Sequence, residues 1–167
     1  MASISLNSTT GEYDFEAEEM VGSFVGSGFH HGVRVLKDKR TMTGIPRPDL
    51  FLLNFYRVFI TGEQLGYLRE LNHVAKLDGE QLEILMESSD WHQAELRVIY
   101  QVVEPSTIDL KVHLKSHASY SYYQIYLSSY FSRGYNPYIY LNRGVKYKDG
   151  REPGFVHLEE NDFVRGY

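Results

Sequence analysis

Residues 107–131 read TIDLKVHLKSHASYSYYQIYLSSYF and contain the longest strand-like pattern in the chain. Apolar and polar side chains alternate at the start of this stretch: Ile108 and Leu110 fall on one face, and Lys111 and His113 fall on the other. This alternation is typical of a half-buried β-strand, because successive side chains of a strand point to opposite faces. We therefore predict a strand that begins near residue 107.

The second half of the stretch resumes the alternation after a break at residues 116–119. One predicted face carries Tyr122, Gln124, Tyr126, Ser128 and Tyr130. The other predicted face carries Tyr123, Ile125, Leu127 and Phe131. This pattern predicts a second strand with one apolar side and one side rich in hydrogen-bonding groups.

Strand-like segments recur along the rest of the chain and are separated by short turns. Residues 50–60 (LFLLNFYRVFI) are the most apolar segment, and their aromatic and β-branched content favours a strand over a short buried helix. Asp78-Gly79 is a favoured two-residue hairpin turn between residues 72–77 and 81–88. Only residues 62–71 read as a helical turn. The pattern predicts an all-β fold, an antiparallel β-sandwich with little helix.

Length and composition predict the organisation of the chain. At 167 residues it is expected to form one domain over residues 1–167, in which residues 1–10 are a loose leader or a first edge strand. There is no cysteine, so disulfide bonds and thiolate metal sites are excluded; we expect no metal and no cofactor. The N-terminal sequence lacks the basic and apolar regions of a signal peptide, which together with the missing cysteines favours a cytoplasmic location.

Charge and hydropathy limit the classes of partner. The formal net charge is -5, and lysines and arginines are interleaved with acidic residues, which argues against nucleic acid because that ligand requires a basic patch. No apolar run approaches the ~20 residues of a membrane span, so we expect no membrane partner. Aromatic residues make up 14% of the chain, which suits strands and also surfaces that stack on flat ligands.

Two consecutive segments carry a resemblance to a known group of proteins. LRVIYQV (residues 96–102) and TIDLKVHLKSHASYSYY (residues 107–123) follow a strand and a turn that contains an aromatic residue. This order resembles the central part of galactose-mutarotase-like domains, the β-sandwich of aldose epimerases and several polysaccharide-acting enzymes. In aldose epimerases the corresponding strand ends in Asn-His-x-Tyr-Phe, and here residues 116–120 read SHASY. The resemblance implies a mutarotase-like sandwich, with a jelly-roll-like sandwich as the alternative.

The resemblance further implies acid–base chemistry at a sugar ring, with no cofactor. His117 would act as an acid on the ring oxygen, and Glu159 would act as a base on the anomeric hydroxyl. Histidine titrates near neutrality, which suits proton transfer. The alternative is that His113 and His117 lie on a solvated strand face and that Glu159 belongs to an exposed acidic turn. The two histidines are roughly 13 Å apart along a strand, too far to share a metal ion.

Residue types that bind sugars occur in several other places. His30 and His31 precede a strand in a Gly-rich loop, and with Arg34 they would line the mouth of a cleft, whereas Arg57 would be a second anchoring donor. The predicted substrate-binding residues are His30, His31, Arg34, Arg57, Trp91, His113, Tyr120 and Tyr122. The alternatives are an ordinary loop for the two adjacent histidines and, for Trp91, a plug at the end of the sandwich.

These observations predict a carbohydrate-binding or carbohydrate-processing β-sandwich whose partner is a carbohydrate. The alternative is a non-catalytic protein-interaction or assembly module, in which a Tyr-rich face forms the contact and the partner is a second copy in a homo-oligomer. That face comprises Tyr120, Tyr122, Tyr126, Tyr130, Tyr135, Tyr138 and Tyr140. A monomer with a cleft would favour the first function, and an obligate oligomer would favour the second.

Overall fold

A computed structural model of the chain describes residues 1–46, 50–132, 135–141 and 154–157. In these residues the secondary structure is β-strand, apart from one 3-10 helix of three residues. The chain divides into two compact units, residues 1–132 and residues 133–167. The prediction of one domain over residues 1–167 stays a prediction.

The first unit contains eleven of the strands and the 3-10 helix. In chain order they are β1 (Ser3–Leu6), β2 (Tyr13–Glu16), β3 (Met20–Val25), β4 (Gly32–Asp38), β5 (Asn54–Ile60), β6 (Glu63–Tyr67), the 3-10 helix η1 (Leu68–Glu70), β7 (His73–Asp78), β8 (Gln81–Met86), β9 (Ala94–Val103), β10 (Thr107–Ser116) and β11 (Tyr123–Ser128). The described part of the second unit contains β12 (Tyr138–Leu141) and β13 (Gly154–His157), which pair antiparallel.

The strands of the first unit form three antiparallel sheets. The first has the order β1-β2-β3-β4, the second β10-β9-β8-β7, and the third β11-β5-β6. The first two are simple meanders, since each strand pairs with its neighbours in sequence. The third is not, because β11 joins β5 from far along the chain. The predicted all-β, antiparallel sandwich with little helix is therefore confirmed.

Alternating burial explains how the meanders face each other. In β8 and β9 every second residue is buried, and these residues are Leu82, Ile84, Met86, Ala94, Leu96, Val98, Tyr100 and Val102. The ring of Phe24 in β3 lies 5.2 Å from that of Tyr100 in β9, so the first and second sheets pack through their apolar faces. One core cluster includes residues of all three sheets.

Two local predictions require correction. Residues 62–71 were expected to hold a helical turn, but residues 63–67 form strand β6 and only Leu68–Glu70 is helical, as a 3-10 turn. Thr61 and Gly62 both have positive φ (52° and 85°), and Ile60 pairs with Glu63, so these two residues form a tight hairpin turn. Positive φ at both central positions matches the twist of hairpin strands.

The end of β11 also differs from its predicted pattern. Leu127, expected on the apolar face, is 41% exposed, whereas Ser128 is buried and its hydroxyl donates to the carbonyl oxygen of Asn54. The cause lies in β5: Arg57 pairs with Tyr126 and Phe55 pairs with Leu127, so Tyr56 is an extra residue. A β-bulge of this kind bends the strand and changes its twist.

The other predicted strands are present, but the apolar face predicted for β10 is only partly buried, since Val112 and Leu114 are 41% and 43% exposed. Part of the predicted leader forms the edge strand β1, residues 54–60 of the apolar segment form β5, and the hairpin turn lies between Asp78 and Gln81. In the described residues no helix is long and apolar enough to cross a membrane.

A glycine in β3 tests this packing. A Cβ built at Gly22 would overlap the carbonyl oxygen of Val35 and the ring of Phe15, whereas one at Gly44 would meet no atom within 4 Å. We expect Gly22→Ala to lower the free energy of unfolding by about 2 kcal/mol or more, because overpacking forces strands β3 and β4 apart. The matched variant Gly44→Ala should change it by less than about 0.5 kcal/mol. Urea denaturation measures both, and equal midpoints would contradict the described strand packing.

Candidate functional site

The third sheet carries a row of aligned side chains across its three strands. Arg57 of β5 pairs with Tyr126 of β11 on one side and with Tyr67 of β6 on the other. Directly opposed residues on one face of a sheet have Cβ atoms about 4.5–5.5 Å apart, so their side chains interact. The next residue, Val58, is fully buried in the core. Arg57 therefore lies on the outer face of the sheet, between two tyrosines.

The bulge at Tyr56 adds a further ring to this face. Because Tyr56 is the extra residue of β5, the usual alternation fails there, and bulges commonly re-aim a side chain. The Arg57 guanidinium carbon lies 4.6 Å from the Tyr56 ring centroid and 5.3 Å from that of Tyr67. A hydrogen bond from Arg57 to the phenol oxygen lowers the pKa of Tyr56, and the charges of Arg57 and Arg69 act in the same direction.

Arg69 brings a second guanidinium to the same rings. It lies in η1, immediately after β6, and its guanidinium carbon is 3.8 Å from the Phe29 ring centroid, 4.6 Å from Tyr67 and 4.9 Å from Tyr56. Guanidinium groups within about 6 Å of an aromatic face are attracted by the ring quadrupole. Phe29, Tyr56, Arg57, Tyr67 and Arg69 together form what we term the arginine–aromatic cluster.

Carboxylates are missing from this cluster. In the described part of the chain Arg34, Arg40 and Arg97 form ion pairs with Glu12, Asp38 and Glu83, respectively. In the described residues, no carboxylate oxygen lies within 4.0 Å of a side-chain nitrogen of Arg57 or Arg69. The Nε atoms of both Arg57 and Arg69 are buried and have no hydrogen-bond acceptor there. The cluster is consequently a local positive surface on a chain with net charge -5.

A pocket of about 300 Å³ opens beside Arg57. Its lining is Tyr56, Arg57, Phe59, Tyr126 and Tyr130. We term it the Arg57 pocket. Four aromatic rings supply apolar surface, three phenol groups supply hydroxyls, and the guanidinium supplies fixed N–H donors. The lining contains no carboxylate and no imidazole.

Of the predicted histidines, His30 is the one that contacts the arginine–aromatic cluster. Its ring stacks on Phe51 at 5.2 Å and meets Phe29 edge-on at 5.0 Å. Burial lowers the pKa of His30, and the charge of Arg69 lowers it further. His30 thus contacts the arginine–aromatic cluster as a neutral ring.

His31 has a different environment and no exposed surface. Its Nε2 accepts a hydrogen bond from the backbone N–H of Phe55 at 3.2 Å, and its ring lies 5.1 Å from that of His73. Burial, followed by the neighbouring His73 and His30, lowers the pKa of His31 to about 3. The predicted role of His31 at the mouth of a cleft does not fit this position, because a fully buried ring cannot contact a ligand.

His113 lies in β10 and His117 directly follows that strand, and neither residue lines the Arg57 pocket. Both are exposed, and the Nε2 of His117 is 3.2 Å from a carboxylate oxygen of Glu95, which also pairs with Lys115 at 3.7 Å. His113 is opposite Arg97 of β9. Glu159 lies outside the described residues, so the predicted catalytic pair of His117 and Glu159 stays a prediction.

The other predicted binding residues are dispersed. Trp91 packs against Gly66, where a Cβ would lie 2.7 Å from its ring, and it contacts the core. The Tyr120 hydroxyl accepts a hydrogen bond from the backbone of Gln93 at 2.7 Å, and Tyr122 is 80% exposed. Arg34 pairs with Glu12. The structure therefore brings Arg57 and His30 to the arginine–aromatic cluster, and it places the other predicted binding residues elsewhere.

Comparisons with known proteins identify no relative: the chain matches no protein-family model, no curated protein and no solved structure. No group of three or more His, Cys, Asp or Glu side chains in the described ranges is arranged to hold a metal ion. The function must therefore be inferred from the described side chains themselves.

The buried imidazole of His31 predicts a pH dependence of stability. Its pKa is about 3 in the folded protein and 6.5 ordinarily, so between these values the unfolded chain binds more protons. The free energy of unfolding must then fall as the pH is lowered through this window. His31→Gln keeps an acceptor for Phe55 but cannot titrate. Between pH 7 and pH 5 we expect this variant to lose about 2 kcal/mol less stability than the native protein.

Urea denaturation at the two pH values measures this difference. The matched control is His113→Gln, which removes an exposed histidine and should leave the pH dependence of the native protein unchanged. His73, His30 and His92 also have pKa values lowered by burial, so some pH dependence will remain in His31→Gln. An identical loss in the native protein and His31→Gln would show that His31 is not buried as described.

Proposed function

We propose that this chain binds carbohydrate through the Arg57 pocket. The observation that carries the proposal is the guanidinium of Arg57, which has no carboxylate partner in the described residues and lines a pocket with three tyrosines and Phe59. A sugar ring has apolar C–H faces that pack on aromatic rings and hydroxyls that accept hydrogen bonds from N–H donors. The rigid fork of arginine presents several such donors in fixed geometry.

The size of the pocket supports a small ligand. At about 300 Å³ it lies at the lower end of the usual range for ligand sites, about 300–1,000 Å³. This volume suits one sugar residue, with neighbouring residues of an oligosaccharide extending along the exposed aromatic side chains. Phe29, which does not line the pocket, is 57% exposed and offers aromatic surface outside it.

Binding is favoured over turnover by the residues that line the pocket. The lining has neither of the groups that usually exchange protons at a sugar ring, a carboxylic acid and a histidine. Acid–base chemistry by His117 and Glu159, in a mutarotase-like domain, remains a prediction from the sequence. Its assay is epimerase activity on free aldoses, with His117→Ala as the variant.

Replacement of Arg57 tests the proposed function. Isothermal titration against a panel of mono- and oligosaccharides should find a ligand whose affinity falls about tenfold or more in Arg57→Ala, because the charged hydrogen bonds are lost. Arg97→Ala is the matched control: Arg97 is also on an outer sheet face but pairs with Glu83, and its loss should leave affinity unchanged. Binding that is equally strong in both variants, or no binding by any saccharide, would contradict the proposal.

A second function, protein contact, is favoured by a different observation. Strand β10 is an edge of the second sheet, and its apolar side chains Val112 and Leu114 are 41% and 43% exposed. An edge strand has backbone groups without strand partners, and it can pair with the edge of another chain. Lys111 and Lys115 on its other face oppose such pairing, since charged side chains protect sheet edges.

Sedimentation velocity tests whether copies of the chain associate through β10. If β10 is a contact between copies, the native protein should form a concentration-dependent dimer, and the double variant Val112→Ser with Leu114→Ser should be monomeric because apolar contact area is lost. The same double change leaves the Arg57 pocket unaltered, so saccharide binding serves as the folding control. A native protein that is monomeric at all concentrations would exclude self-association through β10.

A further inference from the structure

The two guanidinium groups of the arginine–aromatic cluster lie on the same pair of rings. Arg57 and Arg69 are both within 5.3 Å of the Tyr67 ring centroid and within 4.9 Å of that of Tyr56. Like charges held on a shared surface repel each other, and the repulsion increases where rings exclude water. Cation–π attraction to the tyrosines compensates for part of this repulsion. An anion placed beside both guanidiniums would compensate for the remaining repulsion.

The chain does not provide that anion from its described residues. It has 22 acidic residues against 17 basic ones, and three of its described arginines pair with carboxylates. Glu70 is adjacent to Arg69 in sequence, yet its carboxylate forms no ion pair with that guanidinium. Among the described residues of this acidic chain, these two neighbouring arginines have no carboxylate partner, and a ligand could supply the negative charge.

The chemistry of the cluster narrows the class of anion. The Nε atoms of both arginines are covered, so the terminal amino groups are the donors available to a ligand. Arginine binds planar or tetrahedral oxyanions, and it often uses two parallel hydrogen bonds. The aromatic rings beside both guanidiniums require that the oxyanion be attached to a body with apolar faces. A small inorganic ion would leave those rings uncovered.

We infer that the carbohydrate bound by this chain is an acidic saccharide, whose carboxylate or sulfate oxyanion contacts the guanidiniums of Arg57 and Arg69. The inference rests on the proposed function, since it specifies the ligand of the same surface. The sugar ring occupies the Arg57 pocket, and the oxyanion extends toward Arg69. Uronic acids and sulfated sugars share this chemistry, so the experiment has an arm for each.

Four tetrasaccharides of equal length test the inference by isothermal titration: oligogalacturonate, its methyl ester, sulfated oligogalactose and unsulfated oligogalactose. We expect at least one of the two charged ligands to bind about tenfold or more tightly than its neutral counterpart, because charge-assisted hydrogen bonds replace neutral ones. The charged ligand with the larger affinity ratio over its neutral counterpart identifies whether the oxyanion is a carboxylate or a sulfate. In Arg69→Gln this ratio should fall, because one of the two charged contacts is lost, while the neutral ligands retain their affinity.

Control variants and outcomes separate the two proposals. Arg97→Ala should keep the full preference for the charged ligand, and Arg69→Ala with a native melting temperature replaces Arg69→Gln if that variant is unfolded. Equal, Arg57-dependent binding of charged and neutral ligands would overturn the acidic-saccharide inference and leave the proposed function standing. Sodium sulfate that binds as tightly as the sulfated sugar, or no binding by any of the four tetrasaccharides, would overturn this inference, and the wider saccharide panel would then decide the carbohydrate proposal.

Discussion

The fold of the first unit depends on the burial of Tyr100 between its three sheets. Tyr100 belongs to β9, its ring packs against Phe24 of the first sheet, and its hydroxyl donates to the carbonyl oxygen of Leu53 at 2.9 Å. Leu53 immediately precedes β5, the central strand of the third sheet. A buried phenol requires an acceptor, and here the backbone before β5 supplies it. The same side chain thereby joins the two meanders and fixes where the third sheet begins.

Backbone geometry in β5 and in the turn after it determines which side chains lie on the outer surface of the third sheet. Residue 56 is an extra residue in β5, and the turn at Thr61-Gly62 has positive φ at both positions, which returns the chain as β6. The turn, together with an extra residue in β6 at Leu65, places Tyr67 beside Arg57, and the chain then continues into η1, which contains Arg69. A threonine with positive φ is unfavourable, and its persistence beside this surface indicates that the hairpin geometry is strongly constrained by its surroundings.

The sequence predicted the fold better than the surface. Strands β8 and β9 were predicted because each buries one face, and the alternation of apolar and polar side chains follows that burial directly. Arg57 was predicted from its chemistry, but its neighbours were not: Tyr67 and Arg69 come near it only through strand register, which no local pattern encodes. The adjacent histidines were misleading for a related reason. Their spacing carries no information on depth, and His31 is fully buried whereas His30 contacts exposed Phe29.

The charge of the whole chain opposes the local charge of the arginine–aromatic cluster. A net charge of -5 repels an acidic ligand at long range, whereas the two guanidiniums attract it at contact. Salt screens exposed charges beyond a Debye length of about 8 Å at physiological ionic strength, so the distant carboxylates have little influence there. Contacts with the partly buried guanidiniums are screened less. If the proposed anionic ligand binds here, its selection must come from the few atoms that touch it, which are the guanidiniums and the neighbouring rings.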